Sequence, residues 1–229
     1  ILLLFHIKKI FLVVMNNMVS NIIYKILSTL MLYPDVNLKN FCKDLLFVVN
    51  NEKNLSKNVR SDVIFFINYL INEDLLFLQQ SYVDVFDRQK MYSLYLFEHI
   101  HGDSKDRGQA MVDLQNMYLS YGYKIKIYEL PDYLPVFLEY LYLIPDKESL
   151  YLLGEVINII IVIGTRLKKI DNLYYKLFFV LEELSNVKSD ANIVKLGLSY
   201  KESVNLQDEF EKEWTESMFH YNKRINNNY

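Results

Sequence analysis

Val156–Ile163, which reads VINIIIVI, is the one serious candidate for a β-strand in the sequence. Seven of these eight residues are Val or Ile, a composition that suits a buried strand as well as a buried helix. The flanks Leu150–Glu155 and Thr165–Lys169 extend the apolar pattern to a helical length, and no other run offers a partner strand. We therefore predict that this stretch is the central buried helix of an all-α protein.

Upstream of this stretch, apolar residues recur at spacings of three and four, which is typical of amphipathic helices. Pro34 ends the first of them. Ser61 is expected to cap the third helix and Asp74 the fourth, because both side chains can accept a hydrogen bond from a free amide of the first turn. The predicted ranges are Met18–Tyr33, Leu38–Val49, Val63–Ile71 and Leu75–Phe86.

The remaining helices are bounded by glycine, proline and polar residues. One follows Asp103–Ser104 and ends before Gly122, where a left-handed cap is usual. Another must begin within the four residues before Pro135, because proline is tolerated only in the first turn, where amides have no intrahelical partner. The last spans Asn172–Leu184.

These elements predict a single all-α helical bundle domain of residues 18–186. The chain has only six Gly and four Pro, fewer turn residues than many short strands would need. Residues 187–229 are expected to form an acidic, mobile tail, with a short helix around 208–219.

Residues 1–17 are predicted to be an apolar extension. The stretch is interrupted by Lys8 and Lys9, is too short to span a bilayer and lacks the pattern of a signal peptide. We expect it to precede a start at Met15 or Met18. The alternative is a short amphipathic anchor, which would make the protein a tethered structural subunit.

Composition excludes several functions. A single cysteine, Cys42, permits no internal disulfide and no cysteine-rich metal cluster, which fits a reducing compartment. The net charge is −3 and the 25 Lys and Arg form no stripe, so we expect no nucleic-acid partner.

The densest polar patch is residues 97–108, FEHIHGDSKDRG, where His99 and His101 with Glu98 or Asp103 could suggest a metal site. Histidines two residues apart point to different faces of a helix, and a zinc site needs further ligands. No metal site is therefore predicted. A metal-dependent hydrolase using the His99/His101 corner remains the alternative function.

Other catalytic patterns are missing from the sequence. Ser104 lacks the strand-turn-helix context of a nucleophile, and Cys42 has no neighbouring His. Gly102 and Gly108 are isolated and follow no strand, so they do not form a phosphate-binding loop. We predict that the protein is not an enzyme and has no catalytic residues.

A partner surface is the remaining interpretation of residues 98–139. This segment has seven acidic and four basic residues, interleaved with tyrosines and Phe137. Aromatic walls with acids at the edge suit a basic amphipathic peptide, whose apolar face fills the groove while its Arg or Lys meets the carboxylates. The alternative is a solvated charged face over an aromatic core.

Two stretches resemble one family. They are YVDVFDRQKMYSLYLFEHIHGDSKDRGQAMVDLQNMY, Tyr82–Tyr118, and ELPDYLPVFLEYL, Glu129–Leu141. Both look like the hallmark region of the nitrate reductase delta subunit, a molybdenum cofactor assembly chaperone. The resemblance extends from Tyr33-Pro34-Asp35 to the segment around Glu211, Trp214 and Phe219.

The resemblance implies the all-helical fold of the redox-enzyme maturation chaperones and a cytoplasmic chaperone without stable membrane insertion. Its partner would be the apo catalytic (alpha) subunit of respiratory nitrate reductase, bound by its N-terminal segment, or the alpha–beta complex. The chaperone would assist insertion of the molybdopterin guanine dinucleotide cofactor into that partner before membrane docking, and would bind no cofactor stably itself.

The partner peptide is expected to lie in an apolar groove lined by Tyr82, Phe86, Leu130 and Phe137. Acids would receive its basic part, and Arg107 with Asp87 or Arg88 would brace the corners. The Pro-Asp-His-like element of related chaperones reads Pro131-Asp132-Tyr133 here, which argues against a protonation role at position 133. The complete predicted set is Tyr82, Phe86, Glu98, His99, Asp103, Arg107, Leu130, Asp132, Tyr133, Phe137 and Glu139.

Overall fold

The computed structural model describes residues 21–101, 105–126 and 128–199, together with Thr215. Within residues 21–199 the described chain forms ten α-helices, and its one β-bridge joins Tyr95 to Tyr133. The predicted all-α class is confirmed. The helices are α1 Ile22–Leu30, α2 Val36–Asn51, α3 Lys57–Asn72, α4 Leu75–Tyr82, α5 Leu96–Ile100, α6 Arg107–Ser120, α7 Leu134–Leu143, α8 Asp146–Lys169, α9 Tyr175–Leu184 and α10 Ala191–Ser199.

Helix α8 is the centre of the bundle and contains the whole Val156–Ile163 run, so the helical prediction is confirmed. Seven of these eight residues are buried. Acids lie in the first turn and Arg166, Lys168 and Lys169 in the last, which matches the helix dipole. This helix is also long and apolar enough to cross a membrane, but most of its apolar window is buried inside the fold.

The other helices pack around α8 in pairs. Helix α9 lies between α8 and α3, and α10 lies on α8. Helices α2 and α3 contact each other, and α1 packs on α7. An ion pair between Lys25 on α1 and Glu139 on α7 joins the last two, with both side chains largely buried.

Polar caps start three of these helices. The side chains of Asp35, Ser56 and Asp74 each accept a hydrogen bond from an amide of the following first turn. The cap predicted at Asp74 is confirmed. The cap predicted at Ser61 is wrong, because α3 begins five residues earlier and Ser61 lies inside it.

The proline and glycine signals of the second half are confirmed. Helix α7 begins at Leu134 and holds Pro135 in its first turn. Gly122 follows α6 with a φ of 72°, in the left-handed region where a side chain would be strained. The last predicted helix begins at Tyr175 rather than Asn172, since the Asn172 side chain accepts the amide of Tyr174 in a turn before it.

Two boundaries differ from the prediction. The helix expected to reach Phe86 ends at Tyr82 and continues as a wider π-helical turn, Val83–Asp87. Helix α10 lies beyond the predicted domain end at residue 186 and packs on α8. The predicted apolar extension 1–17, the beginning of the first helix at Met18, and the 208–219 helix except Thr215 lie outside the described residues.

Gly164 is predicted to be required for the packing of α8 on α9. A Cβ at this position would lie 2.7 Å from Cβ of Phe178, which is closer than packed side chains allow. Gly164→Ala should therefore lower the free energy of unfolding by about 1–3 kcal/mol in urea denaturation. Gly108→Ala is the matched control, because its Cβ meets nothing within 4 Å. Equal stability of the two variants would contradict this packing.

Candidate functional site

Two non-helical segments meet at the start of α5 and α7. The amide of Leu96 donates to Asp132 O at 2.9 Å, and the amide of Leu134 donates to Leu94 O at 2.8 Å. This pairing brings the rings of Tyr95 and Tyr133 into contact, with centroids 5.1 Å apart and ring planes tilted by 33°. It brings together the two stretches that carry the family resemblance, and we call the surface of Tyr95, Leu130 and Tyr133 the aromatic corner.

The aromatic corner is partly open to solvent. Tyr95 and Tyr133 are half-buried, and 47% of Leu130 is exposed. Leu130 is held next to Tyr133 by a turn in which the Tyr133 amide donates to Leu130 O at 3.2 Å. The corner therefore offers a fixed apolar surface that is accessible to a ligand.

A chain of two hydroxyl groups, those of Tyr133 and Tyr82, anchors Tyr133 to the fold. The Tyr82 hydroxyl donates to Met31 O at 3.0 Å and lies 3.1 Å from the Tyr133 hydroxyl, which must then be the donor to it. Burial raises the pKa of Tyr133 to about 12, so this side chain stays neutral at physiological pH.

Beneath the aromatic corner, Asp132 is fully buried. Its Oδ2 accepts the amide of Phe97 at 3.0 Å and lies 4.0 Å from the Arg107 guanidinium, which is 3.8 Å from Glu98. No described residue donates to Oδ1. Burial raises the pKa of Asp132 to about 6, against the lowering effects of the Phe97 amide and Arg107.

Four carboxylates lie near Tyr95 of the aromatic corner. Burial raises the pKa of Tyr95, and the nearby carboxylates of Glu129, Asp132, Asp87 and Glu98 raise it further. Of these, Asp87 and Glu129 are exposed and Glu98 is half-buried. Two exposed carboxylates, Asp87 and Glu129, therefore form the acidic rim of the aromatic corner, with Lys126 beside Glu129 and Arg107 beside Glu98.

The two histidines of the polar patch have different surroundings. His99 Nε2 lies 2.9 Å from Ser93 O, and burial lowers the His99 pKa to about 4, so the ring is neutral and Nε2 is the donor. His101 is buried edge-on against Phe97, with centroids 5.0 Å apart. Among the described residues no three His, Cys, Asp or Glu side chains could share a metal ion.

The predicted site residues differ in how far they reach the surface. Leu130, Tyr133, Glu98 and Arg107 lie at or next to the aromatic corner. Asp103 lies outside the described residues. The largely or fully buried members are Tyr82, Phe86, Asp132 and Phe137.

Glu139 lies away from the aromatic corner's rim. It is paired with Lys25, and it accepts the Tyr123 hydroxyl at 3.1 Å. Phe137 is completely buried in the core. In this conformation Asp132 and Phe137 can support a bound peptide but cannot touch it, and contact between any of the eleven residues and a partner stays a prediction.

Sequence reasoning did not include Tyr95 and Glu129 in the site, and it gave Asp87 only a bracing role. The position of Tyr95 is set by backbone pairing with Tyr133, 38 residues further along the chain. Such long-range pairing produces no periodic pattern in the sequence around Tyr95. The available signal was its position inside the Tyr82–Tyr118 stretch.

Asp132 is predicted to give the protein a pH-dependent stability. Its pKa is 3.8 in the unfolded reference and about 6 when folded, so between these values only the folded state keeps the proton. Below about pH 4 this proton contributes up to about 3 kcal/mol to the free energy of unfolding. The contribution is lost as the pH rises through 6. The Asn side chain of Asp132→Asn still accepts the Phe97 amide and carries no charge at any pH. The free energy of unfolding of this variant should therefore rise relative to that of wild type by the same amount as the pH is raised from 4 to 7.

The measurement is urea denaturation at several pH values, with Asp44→Asn as a control for the loss of one exposed charge. A stability difference between wild type and Asp132→Asn that stays constant from pH 4 to 7 would show that Asp132 is not a buried, high-pKa carboxylate.

Comparison with known proteins places these features in a family. The sequence model of the nitrate reductase delta subunit matches residues 52–156. Nitrate reductase molybdenum cofactor assembly chaperone NarJ of Escherichia coli (strain K12) is 38% identical over 169 residues, 74% of this chain and 72% of that protein. The probable chaperone NarW of the same strain is 35% identical over 194 residues, 85% and 81% of the two chains.

A more distant relative is the probable nitrate reductase molybdenum cofactor assembly chaperone NarJ of Bacillus subtilis (strain 168). It is 26% identical over 167 residues, which cover 73% of this chain and 90% of that protein. The residues matched by the family model include the whole aromatic corner and its acidic rim. The chain therefore belongs to the nitrate reductase delta subunit family, as the resemblance of Tyr82–Tyr118 and Glu129–Leu141 indicated.

Proposed function

We propose that this protein is a chaperone that binds the apo catalytic subunit of respiratory nitrate reductase, alone or in the alpha–beta complex, through that subunit's N-terminal segment. Family membership supports an assembly chaperone. The observation that carries the binding role is the aromatic corner with its exposed acids, Asp87 and Glu129. Such a surface suits an amphipathic peptide with a basic edge.

In this proposal the exposed and buried residues have different tasks. The apolar side of the peptide packs on Tyr95, Leu130 and Tyr133, and its Arg or Lys side chains meet the carboxylates of the rim. Exposed ion pairs contribute mainly to orientation and association rate, while the desolvated aromatic contacts give most of the affinity.

The buried residues hold the aromatic corner in shape. Asp132 fixes the first turn of α5 through the Phe97 amide, and Tyr82 fixes Tyr133 through the hydroxyl chain. A corner that is rigid before binding loses less conformational entropy when the peptide arrives. Asp132 and Phe137 would thus act on affinity indirectly, although the sequence placed them in the binding set.

The molybdopterin guanine dinucleotide cofactor is cargo for the partner in this proposal. Its insertion takes place in the catalytic subunit, and the chaperone's residues serve to keep that subunit's N-terminal segment bound until insertion is complete. Release then permits membrane docking. The relatives are assembly chaperones rather than enzymes, which fits a protein that catalyses no reaction itself, and we place this role in the cytoplasm.

Neutralising the acidic rim should weaken peptide binding. Asp87→Asn combined with Glu129→Gln removes two exposed carboxylates without touching a buried bond, and the expected loss of affinity for the catalytic subunit's N-terminal peptide is about three- to tenfold. Titration calorimetry at low and high salt measures it, and the difference should shrink at high salt.

Asp44→Asn combined with Glu183→Gln is the matched control, since it makes the same charge change on α2 and α9. Its affinity should equal that of wild type. If both double variants bind the peptide as wild type does, the aromatic corner is not the charged part of the binding surface. Asp132 and Glu139 are less suitable for this test, because both carboxylates lie largely inside the fold and removing either leaves polar groups there without partners.

A further inference from the structure

Tyr128 is the most exposed large apolar side chain in the part of the chain that the structure describes, with 94% of its surface open to solvent. Among the described residues none forms a hydrogen bond or a ring contact with it. Tyrosine rings bury a large apolar area when a partner covers them, and they are enriched among the residues that give interfaces most of their affinity. Packing within the described fold does not account for a tyrosine at this position.

Residues 128–131, which carry this ring, are fixed to the fold at both ends. At one end the amide of Glu129 donates to Lys126 O at 3.0 Å. At the other end the hydroxyl of Tyr118, a completely buried residue of α6, donates to Pro131 O at 2.8 Å. A segment that is held before binding loses less conformational entropy when a ligand arrives. Tyr128 is therefore displayed from a fixed backbone.

Tyr128 extends the apolar surface of the aromatic corner. Leu130 of the corner follows it by two residues and is 47% exposed. Two residues of chain span at most about 7 Å, and successive apolar positions of an amphipathic helix lie one turn, about 5 Å, apart. Tyr128 and Leu130 are therefore spaced to meet two successive apolar side chains of one helix. The charges beside them, Lys126 and Glu129, have opposite signs, so recognition here depends on apolar contact rather than on net charge.

We propose that Tyr128 is a further peptide-binding residue. Its ring packs on an apolar side chain of the partner peptide, bound as an amphipathic helix, one turn away from the side chain that packs on Leu130. This inference rests on the proposed function of the aromatic corner and adds to it a residue that selects peptides by the spacing of their apolar side chains.

The first experiment measures the affinity of the full chain for the labelled N-terminal peptide of the catalytic subunit by fluorescence anisotropy. Tyr128→Ala should weaken binding about tenfold, because the contact area of the ring is lost. Tyr128→Phe, which keeps the ring, should recover most of the affinity. Phe47→Ala removes a ring on α2 that is 66% exposed, and this matched control should bind as wild type. Equal affinity of Tyr128→Ala and wild type overturns the inference.

Double-mutant cycles separate a failure of this inference from a failure of the proposed function. Peptides in which each apolar residue is replaced by Ala in turn are titrated against wild type, Tyr128→Ala and Leu130→Ala. Tyr128 should couple at least about threefold to one peptide position, three or four residues from the position that couples to Leu130. Coupling of Leu130 without coupling of Tyr128 overturns the inference and leaves the proposed function standing. If the peptide binds but couples to neither residue, both the inference and the aromatic corner as binding surface are overturned.

Discussion

The backbone pairing between residues 94–96 and 132–134 is the constraint on which the functional surface depends. In a helical protein each buried amide without an intrahelical partner must find another acceptor, because an unpaired one costs about 1–3 kcal/mol. Here the amides of Leu96 and Leu134, the first residues of α5 and α7, donate to Asp132 O and Leu94 O, each in the segment that precedes the other helix. The Asp132 carboxylate then completes the arrangement by capping α5 at Phe97. Tyr95 and Tyr133, both half-buried, are held against each other at the surface as a result.

The same constraint explains why acidic residues that look alike in the sequence have different roles. Asp132 and Glu139 are held inside the fold by backbone amides, Arg107, Lys25 and Tyr123. Asp87 and Glu129 are exposed beside the aromatic rings. Asp132 and Glu139 therefore stabilise the fold, while Asp87 and Glu129 are the exposed carboxylates next to the aromatic corner.

Much of the fold follows from local patterns in the sequence. The Val156–Ile163 run is helical because its flanks give it helical length, and Pro135, Gly122 and Asp74 mark helix ends by mechanisms that act within a few residues. The cap prediction at Ser61 was wrong because Ser56, five residues earlier, has the same capping chemistry and is the residue that caps the helix.

The candidate site was predictable only as a region. Family resemblance pointed to Tyr82–Tyr118 and Glu129–Leu141, and these segments do meet. Burial could not be read from residue type, so Phe137 and Asp132 were grouped with Leu130 although only Leu130 is exposed. The contact of Tyr95 with Tyr133 depends on tertiary pairing, which helical periodicity does not encode.

Hydrogen–deuterium exchange of the full chain, alone and with the N-terminal peptide of the nitrate reductase catalytic subunit, shows which segments the peptide covers. We expect slower exchange on binding in residues 87–98 and 128–133, with α2 and α3 unchanged. Protection that falls on α2 and α3 and leaves these two segments unaffected would contradict it.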